Sequence, residues 1–303
     1  MKHTLLFGNG LNLLGGNSVS WDSLLQKLEV GPNTVSKETP NTMKYEKIFL
    51  DRSSSGLKKS MSEELPIKKQ IAELMKDQGG NKYYSEIIEM GFENYLTTNY
   101  DDAFCKSYEG TSTNASTEGI YSLRRYLSLN SANHKPAKLW HIHGEIEHPK
   151  SIMLGLDHYC GSIAKIDSYL KGKYEYSVKT KRHKSNPIVK KLIDNDFDEA
   201  SWVELFFNTD IHILGLSLDY SETDLWWVLN KRARLMLDNK VDNRIFYYDS
   251  NLPEGKKALL ISMKVIVVEE VRISDDRRGF LLAHNLLIKK LQENTATNSN
   301  LAA

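Results

Sequence analysis

His3-Thr4-Leu5-Leu6-Phe7-Gly8-Asn9-Gly10-Leu11-Asn12 reads as a short buried strand that runs straight into a glycine turn. Glycines directly after a strand allow positive φ and let backbone N–H groups approach a pyrophosphate closely. The spacing is not a full G-x-G-x-x-G, because Leu13 stands where the third glycine belongs and the next glycines are Gly15 and Gly16. Taken alone, the loop fits a tight structural turn as well as a phosphate cradle. Ser20 then offers an N-cap to a helix whose apolar positions, Trp21, Leu24, Leu25 and Leu28, repeat at helical spacing. Strand, glycine loop and helix together form the opening unit of a doubly wound nucleotide fold.

The same rhythm continues along the chain. Short strands are expected at residues 95–99, 138–142, 210–214, 243–248 and 264–269, with 152–154 as a further candidate. Helices are expected over residues 67–76, 223–237 and 279–292, and the polar stretch 31–62 reads as an irregular excursion. This alternation predicts an α/β fold: one doubly wound, Rossmann-like parallel sheet with a helical insertion module drawn from about residues 31–90 and 103–135. The expected domain covers residues 1–292, followed by a small, polar tail at 293–303 that is expected to be disordered.

Charge and cysteine usage narrow the field. Of 303 residues, 40 are Lys or Arg and 39 are Asp or Glu, a net charge of +1. That balance gives no electrostatic reason to expect nucleic acid or an anionic membrane as partner. Residues 165–191 are locally basic and tyrosine-bearing, a pattern that can bind single strands, but a solvated surface is the simpler reading. Two cysteines, Cys105 and Cys160, cannot supply a four-cysteine zinc site and fit a reducing compartment. The apolar run at 3–7 is too short for a secretory leader, and no window of about 18 apolar residues exists. A cytoplasmic protein without membrane spans is expected.

Three further motifs fall at strand ends, where open α/β sheets bind ligands. Thr97-Thr98-Asn99-Tyr100-Asp101 places an amide and a carboxylate there, able to hold a water or a ribose hydroxyl or simply to cap a turn. In His141-Ile142-His143-Gly144, strand alternation puts both histidines on one face. No further ligands accompany them, so no metal is expected, and His143 is the candidate general base because its ordinary pKa lies near neutrality. Gly215-Leu216-Ser217-Leu218 suits close approach to an adenosine phosphate or ribose, and Asp224 suits the start of the next helix. There is no Gly-x-Ser-x-Gly elbow and no Walker A sequence.

In order and position, Gly8-Asn9-Gly10-Leu11-Asn12, Thr98-Asn99-Tyr100-Asp101, His143-Gly144 and Gly215-Leu216-Ser217-Leu218 together resemble the sirtuin (SIR2) superfamily. Within it they are most similar to the SIR2-like proteins of bacterial antiphage defence, which lack a zinc ribbon; a weaker similarity links them to the AbiH-type abortive-infection group. The resemblance implies NAD+ as substrate, cleaved to nicotinamide and ADP-ribose so that NAD+ is depleted in an infected cell. It also implies roles for individual residues. Asn99 would position the water or the nicotinamide ribose, His143 would act as base, and Asp101 would support the pocket. Gly8, Asn9, Gly10 and Asn12 would border the diphosphate, and Gly215 and Ser217 the adenosine side. Asn9 and Asn12 depart from the alanine and serine of sirtuins.

Two further activities compete with this one. A non-catalytic NAD- or ADP-ribose-binding regulatory subunit would carry the same pocket, whereas a protein deacylase is disfavoured by the missing zinc cysteines. The resemblance further implies gating by homo-oligomerisation or by a partner such as a HerA-type ATPase or an Argonaute-like protein, because an ungated NADase would harm its host.

Overall fold

A computed structural model describes residues 2–16, 18–29, 36, 38–54, 64–114, 119–178, 180–238, 240–272, 274 and 277–299. The main sheet has eight strands in the order β10-β9-β8-β1-β2-β5-β4-β3. Its centre is β1 (His3–Phe7), flanked by β2 (Asn94–Thr97) and β8 (Asp210–Leu214), both parallel to it. Beyond β2 lies β5 (Ala137–His141), and beyond β8 lie β9 (Ile245–Asp249) and β10 (Val265–Glu269), again parallel. The chain thus moves outward one way from β1 to β5 and the other way from β8 to β10. The order reverses between β1 and β8, the topological switch point of a doubly wound sheet.

Alternation within the strands builds two cores. Leu6, Leu96, Trp140, Ile211 and Ile213 face α7 (Leu156–Leu170), α9 (Trp202–Asn208) and α10 (Thr223–Leu237). Leu5, Phe7, Tyr95, Leu139 and Leu214 face α1 (Gly10–Gly15), α5 (Lys82–Glu89), α6 (Ala103–Tyr108) and α12 (Arg277–Ser299). Both faces are covered, so nearly every residue of the central strands is buried, polar ones such as Thr4, Asn94 and His212 included.

Several expected boundaries change. Residues 103–135, expected to be helical, carry only α6 and then two antiparallel strands, β3 (Thr111–Asn114) and β4 (Tyr126–Asn130), which extend the sheet beyond β5. The polar side chains of Thr111, Ser112 and Thr113 are exposed on this edge, which is why no apolar pattern announced it. Residues 41–54, inside the expected irregular excursion, form α3 (Asn41–Ser54); residues 30–35, 37 and 55–63 lie outside the described residues. Residues 152–154 are buried but pair with no strand: Met153 N donates to His143 O, and the segment crosses beneath the insertion. The tail expected to be disordered continues α12 as far as Ser299, and residues 300–303 lie outside the described residues. The basic stretch 165–191 holds the end of α7, a separate hairpin of β6 (Glu175–Val178) and β7 (Lys181–Lys184), and the start of α8 (Ile188–Asp194).

A third core belongs to the insertion. Leu24, Leu25 and Leu28 of α2 (Trp21–Leu28) pack with Tyr45 and Ile48 of α3 and with Ile67, Ile71 and Met75 of α4 (Glu64–Met75). A buried polar cluster ties these helices to α7. His158 Nδ1 accepts from Leu154 N and Gly155 N, each at 3.0 Å, so its hydrogen sits on Nε2 and is directed at Glu64 Oε1, 2.7 Å away. Lys68 pairs with Glu64 at 3.2 Å, and the Tyr45 hydroxyl donates to the same carboxylate at 2.9 Å. Burial opposes charge on Glu64, yet His158 and Lys68 outweigh it and hold the carboxyl down at about 2. A group depressed in the folded state contributes stability above its unfolded pKa and loses it as the pH falls. Glu64→Gln is therefore expected to lower unfolding free energy by about 1–2 kcal/mol at neutral pH, the partly exposed carboxylate being screened by solvent. In urea titrations this difference from wild type shrinks as the pH falls from about 5 toward 2.

Candidate active site

A cleft of about 350 Å³ opens over the C-terminal ends of β9, β8, β1 and β2. Asn9 and Gly10 follow β1, Gly215, Leu216 and Ser217 follow β8, and Thr98, Asn99 and Tyr100 follow β2. Trp21 and Leu24 of α2 and Met75 of α4 form an apolar wall contributed by the insertion. At the β9 end stand Asp249, Arg272, Phe280 and His284. The volume lies in the range of small-molecule sites, about 300–1,000 Å³, and apolar walls with a few convergent polar groups are their usual lining.

The two glycine loops clasp each other. Gly10 N donates to Gly215 O at 2.7 Å, and a Cβ built on Gly10 would sit 2.6 Å from that oxygen. Gly215 itself has φ +65°, a conformation glycine adopts without strain. The glycines of the first loop thus serve backbone-to-backbone contact across the switch point. Gly8 contributes in the same way, since a Cβ there would meet the Leu216 side chain at 2.7 Å, and it does not line the cleft.

Asn12 and Asp101 lie behind the cleft rather than in it. Asn12 Nδ2 donates to Asp101 Oδ2 at 2.9 Å and to Asn9 Oδ1 at 3.1 Å, while its Oδ1 accepts from the Tyr84 hydroxyl at 2.7 Å. Asp101 Oδ1 accepts from Ala103 N at 3.0 Å, which caps α6. Asn99 joins the same network weakly, its Nδ2 3.4 Å from Tyr84 Oη, and remains the member at the cleft surface. Its backbone is fixed from two sides: Asn99 N donates to Thr97 Oγ1, and its carbonyl accepts from His141 Nδ1, both at 3.0 Å. Satisfied buried networks of this kind hold a group in one geometry. Tyr84, which no motif marks, is the hub that joins Asn12 to Asn99.

His143 is also buried and is not part of the cleft lining. β5 ends at His141, so a turn rather than the strand pleat orients His143. Its Nε2 lies 3.2 Å from Asp224 Oδ2, and its Nδ1 is 3.5 Å from the Tyr159 hydroxyl. Asp224 is held further by Ser162 Oγ at 2.8 Å and by Leu225 N at 2.8 Å in the first turn of α10. Burial disfavours a charged imidazole here, but the Asp224 carboxylate outweighs it and raises the His143 pKa above its ordinary value. The same pairing keeps Asp224 below the usual carboxylate range despite its burial. Asp224, expected only to favour the α10 dipole, is thus the partner of His143.

Glu222, two residues earlier, lines the cleft, and no role was expected of it. Burial pushes its carboxyl up to about 7, with Asp224 and Asp219 reinforcing the shift and His143 opposing it. Among the described residues no group of three or more His, Cys, Asp or Glu is arranged to hold a metal ion, and no helix is long and apolar enough to cross a membrane. Cys105 and Cys160 are both free.

A doubly wound sheet with a glycine-clasped cleft at its switch point defines a Rossmann-like α/β protein with a nucleotide-type site. The SIR2-like domain family model matches residues 93–188, the stretch that supplies Asn99, Asp101 and His143. This match supports a SIR2-like protein, and because SIR2-like domains use NAD+ it supports an NAD-related function in general. No curated protein matches it. Gly10→Ala is expected to force the two loops apart, with a loss of about 1–3 kcal/mol in a thermal melt. NAD+ binding by calorimetry is expected to weaken at least about tenfold with it.

Proposed function

We propose that the protein is an NAD+ glycohydrolase, cleaving NAD+ to nicotinamide and ADP-ribose. The observation that carries this reading is the span of the cleft across four strand ends, with Asn99 over β2 and Asp249 beyond β9. Three strand spacings of about 4.8 Å each give roughly 14 Å, the reach of an extended dinucleotide rather than of one nucleoside. Phe280 and His284, their ring centroids 4.1 Å apart, offer an aromatic surface for adenine beside Asp249, a carboxylate suited to ribose hydroxyls. The diphosphate would cross between Asn9-Gly10 and Gly215-Ser217. The nicotinamide ribose would then meet Asn99 beneath the Trp21 and Met75 wall, which excludes water from most of its surface.

Cleavage of the N-glycosidic bond passes through an oxocarbenium-like state, so orientation and nearby negative charge are what the protein must supply. Asn99, fixed through Thr97, His141 and Tyr84, suits the first task. The buried His143–Asp224 pair borders the same region and sets its field. The role in antiphage defence, the cytoplasmic location and gating by self-association or by a partner protein belong to this reading, supported by the resemblance of its motifs to defence proteins. A non-catalytic NAD- or ADP-ribose-binding subunit is the second reading. It is favoured by one feature, that both ring nitrogens of His143 are engaged away from the cleft.

Purified protein incubated with NAD+ is expected to release nicotinamide, in the presence of an activating partner where gating requires one. Asn99→Ala is expected to lower kcat by about 10²–10³ through lost orientation, and His143→Gln by about tenfold or more through the lost charge beside the cleft, both retaining a cooperative melt. Saturable NAD+ binding without product under every activating condition would leave the binding-subunit reading in its place. Gating predicts that size-exclusion fractions with turnover elute as an oligomer or a complex; an active isolated monomer would contradict it.

A further inference from the structure

Glu222 stands immediately before α10, where a carboxylate ordinarily caps the helix by accepting from backbone N–H groups. It makes no side-chain cap. Asp224 supplies that first-turn carboxylate instead, accepting from Leu225 N. The Glu222 side chain is left over for another use. It is 7 % exposed, it lines the cleft, and its Oε2 is buried without a hydrogen-bond partner among the described residues. An unpartnered buried carboxyl oxygen costs about 1–3 kcal/mol or more, a cost structures carry where a group must be available to something else.

We propose that Glu222 is the proton acceptor of the cleft, taking the proton from the water that attacks the nicotinamide ribose. The proposal rests on the glycohydrolase reading and adds to it the group that handles the proton. The water oxygen forms a bond to the anomeric carbon as the bond from that carbon to the nicotinamide nitrogen breaks. The bonding pair goes to the ring nitrogen and neutralises the pyridinium. The water proton passes to the Glu222 carboxylate and from there to solvent, so the products are nicotinamide, ADP-ribose and one proton. His143, tied to Asp224 and Tyr159 behind the lining, acts on this site through its charge.

The groups facing Glu222 support that assignment. His143 and Lys256 favour its ionised form, whereas Asp224 and Asp219 disfavour it, and burial adds to the latter. The hydroxyls of Tyr100, Tyr159 and Tyr247 surround the same region, each kept protonated by burial and by nearby carboxylates, Glu222 among them. The balance places the carboxyl up at about 7, where a base both ionises and regains its proton at neutral pH. Because the pKa is raised, the ionised, proton-accepting form gains population as the pH rises through about 7.

Two readouts on the full chain, with any activating partner present, test this in wild type, Glu222→Gln and Glu222→Asp. The first is binding without turnover, using a carbocyclic NAD+ analogue, whose ring is cationic but uncleavable, beside ADP-ribose, which lacks that ring. Wild type is expected to bind the analogue about tenfold more tightly above about pH 8 than below about pH 6, while ADP-ribose binding stays level. Glu222→Gln is expected to level both. The second is nicotinamide release. Wild-type kcat is expected to rise across about pH 7, and Glu222→Gln to lose about 10²–10⁴ in kcat together with that limb, a loss well beyond the roughly tenfold rise in KM that weaker binding of the cationic ring brings. Glu222→Asp is expected to restore part of both. Glu222→Gln with wild-type kcat and an unchanged limb would overturn the proposal, as would analogue binding that ignores Glu222 at every pH. A Glu222-dependent binding profile without any nicotinamide release would overturn glycohydrolysis and the proton transfer with it, while keeping Glu222 as the ionising group of a binding site.

Discussion

The backbone hydrogen bond from Gly10 N to Gly215 O, 2.7 Å long, joins the loops after β1 and β8 at the point where the strand order reverses. A side chain on Gly10 would push these loops apart, and the cleft exists between and above them. On the β2 side the loops meet the Thr98–Tyr100 segment, and on the β9 side they meet Asp249. Asn9, Asn99, Ser217 and Asp249 are referenced to this clasp, because each stands at or just after the end of a strand whose register with β1 or β8 is fixed. Rigid strand ends carrying short loops are how such a sheet positions chemistry.

Behind the clasp the protein spends buried polarity on orientation. Asn12, Asp101 and Tyr84 satisfy one another, and through Tyr84 they reach Asn99. On the other face, His143, Asp224 and Ser162 join α7 and α10 to the turn after β5. Buried ion pairs of this kind contribute little net stability because desolvation offsets their attraction. Their value here lies in the field they impose at the cleft, and Glu222 is the carboxyl on which that field falls. The insertion completes the enclosure: the Glu64–His158–Lys68 cluster holds α4 against α7, and α4 carries Met75 to the cleft wall.

Much of this was legible in the chain itself. β1 and β8 each end in apolar residues directly before a glycine, Leu5-Leu6-Phe7 before Gly8 and Ile213-Leu214 before Gly215, which marks both as strands entering a turn. Thr98-Asn99-Tyr100 and Gly215-Leu216-Ser217 sit at the cleft, as strand-end logic requires. Other residues were less visible for physical reasons. Asn12 and Asp101 look like ligand contacts in a linear motif, but their side chains bond each other, and Asn12 is held further by Tyr84, a residue 72 positions away. Glu222 and Asp224 look alike before a helix; only the position of His143, 81 residues from Asp224, separates the paired carboxylate from the free one. The exposed strand β3 and the half-buried strand β4 lack the continuous burial of a central strand, and α3 hides in a polar stretch because Tyr45 and Ile48 are the only buried apolar side chains among its described residues.

The proposed binding mode lays one dinucleotide along the four strand ends with its nicotinamide ribose at Asn99. A crystal structure of the protein with ADP-ribose tests it most directly. The diphosphate is expected between Asn9-Gly10 and Gly215-Ser217, adenine beside Phe280 and His284, and the free ribose within hydrogen-bond reach of Asn99. ADP-ribose bound in the reverse direction, or bound away from the switch point altogether, would contradict it.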